Sequence, residues 1–302
     1  MPELRFDGRV AIVTGAGQGL GREHAKLLAA RGARVVVNDL GGGPQGGGAS
    51  EAPARRVAEE ISAVGGEAVA DFHTVATPEG ARAVVEAAIG AWGRLDVLVH
   101  NAGIAHGEPI ERIVPERLDA MLDVHLRGGF FLASAAWRRM RERGYGRIVL
   151  TVSNAGLFGL PGATTYSAAK GGLVALTRAL AGEGAPYGIR VNALAPAAIT
   201  RLTAATDAGP LTEWWQKWFQ PERVSPVVAW LAHEDCPVTG EIYSAGGGRV
   251  ARVFVAETPG WWSATLTPED VRDHFAEIRE ESGYEQPRSS MEEMMIYRKR
   301  IP

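Results

Sequence analysis

The chain has one cysteine, Cys236, in 302 residues, which excludes an intrachain disulfide and a cysteine-based zinc site. No run approaches the ~18 apolar residues of a membrane span, and Met1 to Val10 has no apolar leader core. The ending Lys299-Arg300-Ile301-Pro302 is not a Ser-Lys-Leu peroxisomal address. A cytoplasmic protein without membrane contact is therefore expected. Basic excess is also missing: Lys+Arg 32 against Asp+Glu 35 leaves a formal net charge of -3, so nucleic acid is not an expected partner. No metal-ligand spacing stands out, and no metal is expected. What is abundant is glycine, 38 residues, well above the usual ~7% and a sign of tight turns and close backbone approaches. With 46% hydrophobic content, a chain of this length can bury a substantial core.

The glycines are concentrated where they carry chemistry. Val10-Ala-Ile-Val13 is a short apolar run ending in Thr14-Gly15-Ala16-Gly17-Gln18-Gly19-Leu20-Gly21, and a helical pattern from Arg22 to Arg31 follows. Strand, glycine turn and helix together let backbone N–H groups and the helix N-terminus approach a pyrophosphate. A second strand, Arg34 to Asn38, delivers Asp39, about 20 residues on, where an acid accepts hydrogen bonds from an adenosine ribose. That context favours dinucleotide binding over a mere tight turn. A carboxylate at Asp39 repels a 2′-phosphate, and neither Gln18 nor Leu40 supplies a cation, so the expected cofactor is NAD rather than NADP.

Gly41 to Ser50 is the one low-complexity stretch, either a mobile rim of the adenosine site or an inert connector. A helix from Glu51 to Val64 and a strand from Glu67 to Ala70 follow, ending at Asp71, which can receive the adenine amino group, cap a helix or turn, or do both. Further helices are expected over 78–92 and over 115–143, the latter bent around Gly128-Gly129. Further strands are expected at Leu95 to Val99, which runs into His100-Asn101-Ala102-Gly103, at Arg147 to Val152, at Ile189 to Leu194 and at Thr239 to Ala245. This alternation predicts an α/β fold: a doubly wound parallel sheet of seven strands with helices on both faces, ligands sitting at the carboxyl ends of the strands. Residues 1–248 form the expected dinucleotide-binding domain, and 249–302 a C-terminal extension packed on it.

The fifth strand delivers Ser153, and a helix beginning at Tyr166 carries Lys170 one turn later. Residues four apart share a helix face, so the phenol and the ammonium can converge. A free tyrosine titrates near ~10, and serving as a base near neutrality requires roughly 3 units of lowering, about 4 kcal/mol. An ammonium about 4 Å away supplies that at an effective dielectric constant of ~20. Alone, this pair is as well read as a core tyrosine beside a solvated lysine; the cofactor turn is what makes it a catalytic candidate.

Taken together, Thr14-Gly-x-Gly-x-Gly-x-Gly21, Asp39, Asp71, Asn101-Ala-Gly103, Ser153 and Tyr166-x-x-x-Lys170 resemble the short-chain dehydrogenase/reductase family over residues 5 to about 248. Within it, Val37-Asn-Asp-Leu-Gly-Gly42, Val124-His-Leu-Arg-Gly128, Ala136-Trp137 and the tail after Gly248 are similar to the (3R)-hydroxyacyl-CoA dehydrogenase unit of peroxisomal multifunctional enzyme type 2 and its stand-alone bacterial relatives. The resemblance implies Tyr166 as general base in oxidation, Lys170 lowering its pKa and holding the nicotinamide ribose, and Ser153 binding the substrate oxygen. It places Gly15, Gly17, Gln18, Gly19, Leu20, Gly21, Asp39, Asp71, Asn101, Ala102 and Gly103 against NAD, with Val152, Pro196, Ile199 and Thr200 near the nicotinamide. His125 stands where family members commonly carry Asn, and is either an anchor for a proton-relaying water or a satisfied buried histidine. Ala197 replaces a frequent glycine.

The implied reaction is hydride transfer between a secondary alcohol and NAD. The expected substrate is a (3R)-3-hydroxyacyl-CoA, the alternative a 17β-hydroxysteroid, with Trp214, Trp215, Trp218 and Phe219 as a substrate cover and Arg201, Arg223, Arg249 and Arg252 as partners for CoA. A non-catalytic NAD-sensing protein is the reading of another class. A homodimer or homotetramer is expected through the helices at 115–143 and 166–182.

Overall fold

The computed structural model describes residues 3–200 and 211–301. Its first strand, β1 (Val10–Thr14), is buried along its whole length, as a continuous Val-Ala-Ile-Val run must be when helices cover both faces of the sheet. The elements that follow are α1 (Gly19–Ala30), β2 (Arg34–Asn38), α2 (Ala52–Ala63), β3 (Glu67–Asp71), α3 (Pro78–Trp92), β4 (Val97–His100), α4 (Pro115–Leu122), α5 (Gly128–Arg143), β5 (Gly146–Thr151), α6 (Asn154–Phe158), α7 (Thr164–Gly184), β6 (Ile189–Pro196), α8 (Thr212–Trp218), α9 (Ser225–Ala232), β7 (Ile242–Gly246) and β8 (Arg249–Val253). The strand order is β3-β2-β1-β4-β5-β6-β7-β8, and the pairs from β3 through β7 are parallel. The order reverses at β1 and β4, which opens a crevice at their carboxyl ends, the place where doubly wound sheets bind ligands.

Two expectations need correction. The sheet has eight strands rather than seven, because the expected tail begins with β8. Gly247 and Gly248, with φ of +60° and +85°, form a two-residue turn of the kind that joins antiparallel neighbours. The chain divides into two compact units between Arg252 and Val253, a few residues beyond the expected boundary. The expected interruption around Gly128-Gly129 is a π turn at Asp123–Arg127, directly before Gly128, where α5 begins. Gly128 and Gly129 instead allow close packing: a Cβ on Gly129 would lie 2.8 Å from Leu173 Cδ2. Such a π turn inserts an extra residue into the helix, and here His125, within it, is buried.

Capping accounts for several boundaries. Thr77 accepts from the Gly80 N–H at 3.1 Å, with Pro78 in the first turn, and Gly93 ends α3 in the left-handed region at φ +69°. These are the usual start and stop signals. A large hydrophobic cluster joins β1, β2, α1, α2, β4 and α9. The second unit, Val253–Pro302, contains α10 (Pro268–Asp273), α11 (Phe275–Ile278) and α12 (Ser290–Arg300). Thr267 and Asp270 form a capping box on α10, and Trp261 stacks on His274 at 3.9 Å.

Candidate active site

The turn from β1 into α1 admits little besides glycine. A Cβ on Gly15 would come within 2.7 Å of Ala102 Cα, and one on Gly21 within 2.2 Å of the Gly15 carbonyl oxygen. The β1 turn is thereby pressed against the segment after β4. Thr14 ties the two together: its hydroxyl oxygen accepts the N–H groups of Asn101 and Ala102, both at 3.1 Å. Asn101 Nδ2 donates back to the carbonyls of Thr14 and Gly15 at 3.1 and 3.2 Å. Asp39 braces the same turn from the end of β2, its carboxylate oxygens accepting Gly17 N–H at 2.8 Å and Gly41 N–H at 2.7 Å.

These residues border a cavity of about 410 Å³ whose wall includes Gly15, Gln18, Gly19, Leu20, Asp39, Asn101, Ala102, Gly103 and Thr200. An elongated dinucleotide fits this donor set: flat glycine backbone and a helix N-terminus for the phosphates, and a carboxylate for a ribose. Gly42, Gly43, Gly46 and Gly47 from the low-complexity stretch also border it, and that stretch is tied across the cavity by Ala105 N–H donating to the Pro44 carbonyl at 2.9 Å. It is a rim rather than an inert connector.

Asp71 caps a turn, one of its two expected roles, its carboxylate accepting the His73 N–H at 3.2 Å. It is not part of the cavity wall, and its carboxylate, buried at 4% exposure, accepts from Asn38 Nδ2 at 2.6 Å and from His73 Nδ1 at 2.8 Å. The wall at that end is made by His73, Thr74 and Val75, which sequence reasoning passed over. Their signal was position: they are the residues immediately past the carboxyl end of β3. Val152, Pro196 and Ile199 also lie outside this wall. Val152 is buried at 1% exposure, and Ile199 N–H donates to the Phe219 carbonyl at 2.7 Å.

The catalytic candidates come together behind that wall. Ser153 is in extended conformation and caps α6, its Oγ accepting Ala155 N–H at 3.1 Å and donating to Asn154 Oδ1 at 3.1 Å. Tyr166, in the first turns of α7, lies within hydrogen-bonding reach of the Ser153 hydroxyl. Lys170, one turn on and 3% exposed, donates to the Thr151 carbonyl at 2.5 Å, with Nζ 5.9 Å from the Tyr166 ring centroid. The expected lowering of the Tyr166 pKa by Lys170 is not what the protein alone produces. Burial raises Tyr166, the Ser153 hydrogen bond opposing it, and burial lowers Lys170 to about 7. Desolvation of Lys170, opposed by its hydrogen bond to the Thr151 carbonyl, weakens the help it gives the phenol in the protein alone.

His125 connects the cavity to this cluster. Its ring meets Tyr166 edge-on with centroids 5.5 Å apart, and a Cβ on Gly103 would lie 2.5 Å from His125 Cε1. Burial and the Lys170 charge hold its pKa well below the usual range, so it is neutral. Nε2 lies 2.8 Å from the Ile104 carbonyl oxygen and 3.2 Å from the Ile104 nitrogen; the shorter contact calls for Nε2–H, which leaves Nδ1 the lone pair, and the longer one for the other tautomer. Nδ1 is buried without a hydrogen-bond partner among the described residues. His125 is thus half satisfied, between the two readings its sequence position allowed. His100, lowered to about 4 by burial, takes the Thr14 hydroxyl at Nδ1 (3.2 Å) and donates from Nε2 to the His125 carbonyl at 2.9 Å.

In α8 and just after it, Trp215 stacks on Phe219 at 4.0 Å and Trp214 meets Phe219 at 4.8 Å. Arg223 lies over the Trp218 ring at 5.0 Å. Arg252 is paired with Glu241 at 3.3 Å, Arg249 is exposed, and Arg201 lies outside the described residues.

Comparison with known proteins agrees with this geometry. Residues 9–210 match the family model for short chain dehydrogenases. A Mycobacterium tuberculosis protein named as a short-chain type dehydrogenase/reductase is 46% identical over 276 residues, 91% of this chain and 95% of that protein. The structure of full-length peroxisomal multifunctional enzyme type 2 from Drosophila melanogaster superposes with a TM-score of 0.82 at 32% identity. That match covers 98% of this chain and 50% of the fly protein, so this chain spans half of it. A 7α-hydroxysteroid dehydrogenase, solved with NADH and 7-oxo-glycochenodeoxycholic acid, is 27% identical with a TM-score of 0.74, covering 82% of this chain and 98% of that one. The chain belongs to the short-chain dehydrogenase/reductase family and is an enzyme of that family.

Proposed function

We propose that this enzyme is an NAD-dependent dehydrogenase that oxidises a secondary alcohol, with a (3R)-3-hydroxyacyl-CoA as its substrate. The observation that carries the reading is the convergence of Ser153, Tyr166 and Lys170 behind a glycine-walled cavity with Asp39 at its rim. NAD, when bound, supplies the carbon that accepts the hydride from the alcohol. Ser153 would hold the alcohol oxygen, and Tyr166, as the phenolate formed once cofactor and substrate complete the site, would receive the hydroxyl proton. Lys170 steadies the charge forming on Tyr166 and holds the nicotinamide ribose. His125 acts as a positioning residue, its unpartnered Nδ1 offering a hydrogen-bond partner to a water. Asp39, already donating no hydrogen and accepting two, repels a 2′-phosphate, which favours NAD over NADP.

The acyl-CoA reading rests on the likeness to the multifunctional enzyme, and the 17β-hydroxysteroid reading on the aromatic cluster at Trp214, Trp215 and Phe219 together with the steroid-dehydrogenase neighbour. Steady-state kinetics with NAD decide between them: a higher kcat/KM for the 3-hydroxyacyl-CoA supports the first, a higher value for the steroid overturns it. Absence of turnover with both, alongside tight NAD binding, would favour a non-catalytic NAD sensor.

Assembly and location complete the proposal. Phe130, Trp137 and Leu180 line a hollow between α5 and α7, and Phe130 is half exposed; a second copy of the chain is its proposed partner, as a homodimer or within a homotetramer. A cytoplasmic location is proposed, with cell fractionation against the peroxisomal alternative raised by the fly relative as its test.

A further inference from the structure

We propose that Glu108 is a positioning residue for Tyr166: through its ion pair with Arg117 it clasps the segment after β4 to α4 and to the start of α7, and so sets where the Tyr166 hydroxyl stands. The proposal rests on the reading of Tyr166 as the proton acceptor and adds to it the device that holds it in place. Glu108 lies between β4 and α4, and its side chain is 6% exposed, whereas that of Arg117, on α4, is 57% exposed. One carboxylate oxygen pairs with Arg117 Nη1; the other faces the Val114 N–H at 3.5 Å. Val114 is the N-cap of α4 and makes no side-chain cap of its own, and a carboxylate is the group favoured beside a helix N-terminus. A carboxylate taken out of water to this extent is tolerated only while it is paired.

The backbone of the same residue reaches the catalytic helix. Glu108 forms a parallel bridge with Ala163, and a Cβ on Gly107 would lie 2.9 Å from the Gly162 carbonyl oxygen, so the two segments run in close contact. Ala163 is the N-cap of α7, and Tyr166 sits in the first turn beyond it. Tyr166 packs against a small cluster of Ile104, Met121 and Ala169. The first of these belongs to the clasped segment, the second to α4 and the third to α7. Tyr166 is therefore seated by the three pieces that Glu108 and Arg117 tie together. Glu108 is not part of the cofactor cavity wall, so loosening the clasp acts first on the tyrosine. Moving the phenol relative to the Ser153 hydroxyl by about 1 Å is enough to cost on the order of 100-fold in rate.

The test compares the whole chain as wild type, Arg117→Met, Arg117→Lys and the double variant Arg117→Met with Glu108→Gln. Three quantities are read: NADH formation from NAD and a (3R)-3-hydroxyacyl-CoA, NAD affinity by tryptophan fluorescence, and amide hydrogen exchange. Arg117→Met leaves a buried charge unpaired and drives its segment towards water. Exchange should then rise over 105–114 and 163–168 together, and kcat should fall at least ~tenfold with NAD affinity within ~twofold of wild type. Arg117→Lys keeps the charge at a pairing made through one nitrogen and should hold kcat within ~threefold. Adding Glu108→Gln to Arg117→Met removes the unpaired charge and should recover most of the lost kcat, a rescue that loss of packing alone does not produce. Full kcat with unchanged exchange at 163–168 in Arg117→Met, or a double variant slower than Arg117→Met, would overturn the role of Glu108 while leaving the dehydrogenase reading intact. A wild type that binds NAD yet oxidises neither the acyl-CoA nor a 17β-hydroxysteroid would instead remove that reading, and the positioning role with it.

Discussion

At Tyr166 the protein withholds a base until the site is complete. Burial keeps the phenol protonated and Lys170 near neutrality, so the hydroxyl matters where a proton moves and little elsewhere. Tyr166→Phe should lower kcat by more than ~100-fold with NAD affinity retained, measured by NADH formation and by fluorescence titration. A residual rate above a tenth of wild type would show that another group takes the proton. Lys170→Ala should damage both readouts, since the ammonium serves the base and the ribose. At Asp39, substitution by Ala frees the Gly17 and Gly41 N–H groups and removes the charge repelling a 2′-phosphate. The kcat/KM ratio of NADP to NAD should rise by about ten-fold, on the order of 1.4 kcal/mol; a wild-type enzyme already preferring NADP would overturn the reading of this residue.

Among the elements, the π turn at Asp123–Arg127 is the joint between cofactor wall and catalytic cluster, because it brings the His125 ring between Gly103 and Tyr166. Gly103→Ala would drive a methyl to 2.5 Å from His125 Cε1, and overpacking of this sort costs about 1–3 kcal/mol. The expected outcome is a lowered Tm and a reduced kcat from a displaced His125. Unchanged Tm and kcat would mean that the wall and the histidine are not in fixed contact. The helical pattern of 115–143 was legible from its periodicity. The π turn was not, because nothing in Asp123-Val-His-Leu-Arg127 departs from ordinary helix composition.

For the whole molecule, three buried histidines make a common contribution to stability against pH. His24 is lowered to about 3 and His100 to about 4 by burial, and His125 is held well below its usual value. In each the folded pKa lies below the unfolded one near 6.5, so below that pH the unfolded chain binds protons that the folded one refuses. Stability is then fully present above about pH 6.5 and falls as pH drops from 6.5 towards 4, by about 1.4 kcal/mol per group per pH unit. At pH 5 His24 and His100 together cost about 4 kcal/mol, a large part of the whole stability of many domains, and His125 acts in the same direction. Urea denaturation at pH 7 and pH 5 should show a large loss of the midpoint at the lower pH; a midpoint unchanged between them would contradict neutral burial of these side chains. Assembly belongs to the same scale: light scattering at micromolar concentration should report a dimer or larger, and Phe130→Asp on α5 should shift it towards monomer. A monomeric wild type would remove the proposed role of the α5–α7 face.

By itself the sequence determined what is local or periodic. The apolar runs and glycine turns specified the doubly wound order. Asp39 was legible because it follows a strand at a set distance, and Tyr166 and Lys170 because one helical turn separates them. Where a carboxylate spends its hydrogen bonds is a different kind of question. Asp71 and His73 are near neighbours in the chain, yet only the closure of β2 onto β3 turned Asp71 inward to Asn38 and left His73 on the cavity wall. The direction of the Tyr166 and Lys170 pKa values was likewise decided by tertiary structure, since desolvation depends on everything packed around a group and spacing along the chain does not encode it.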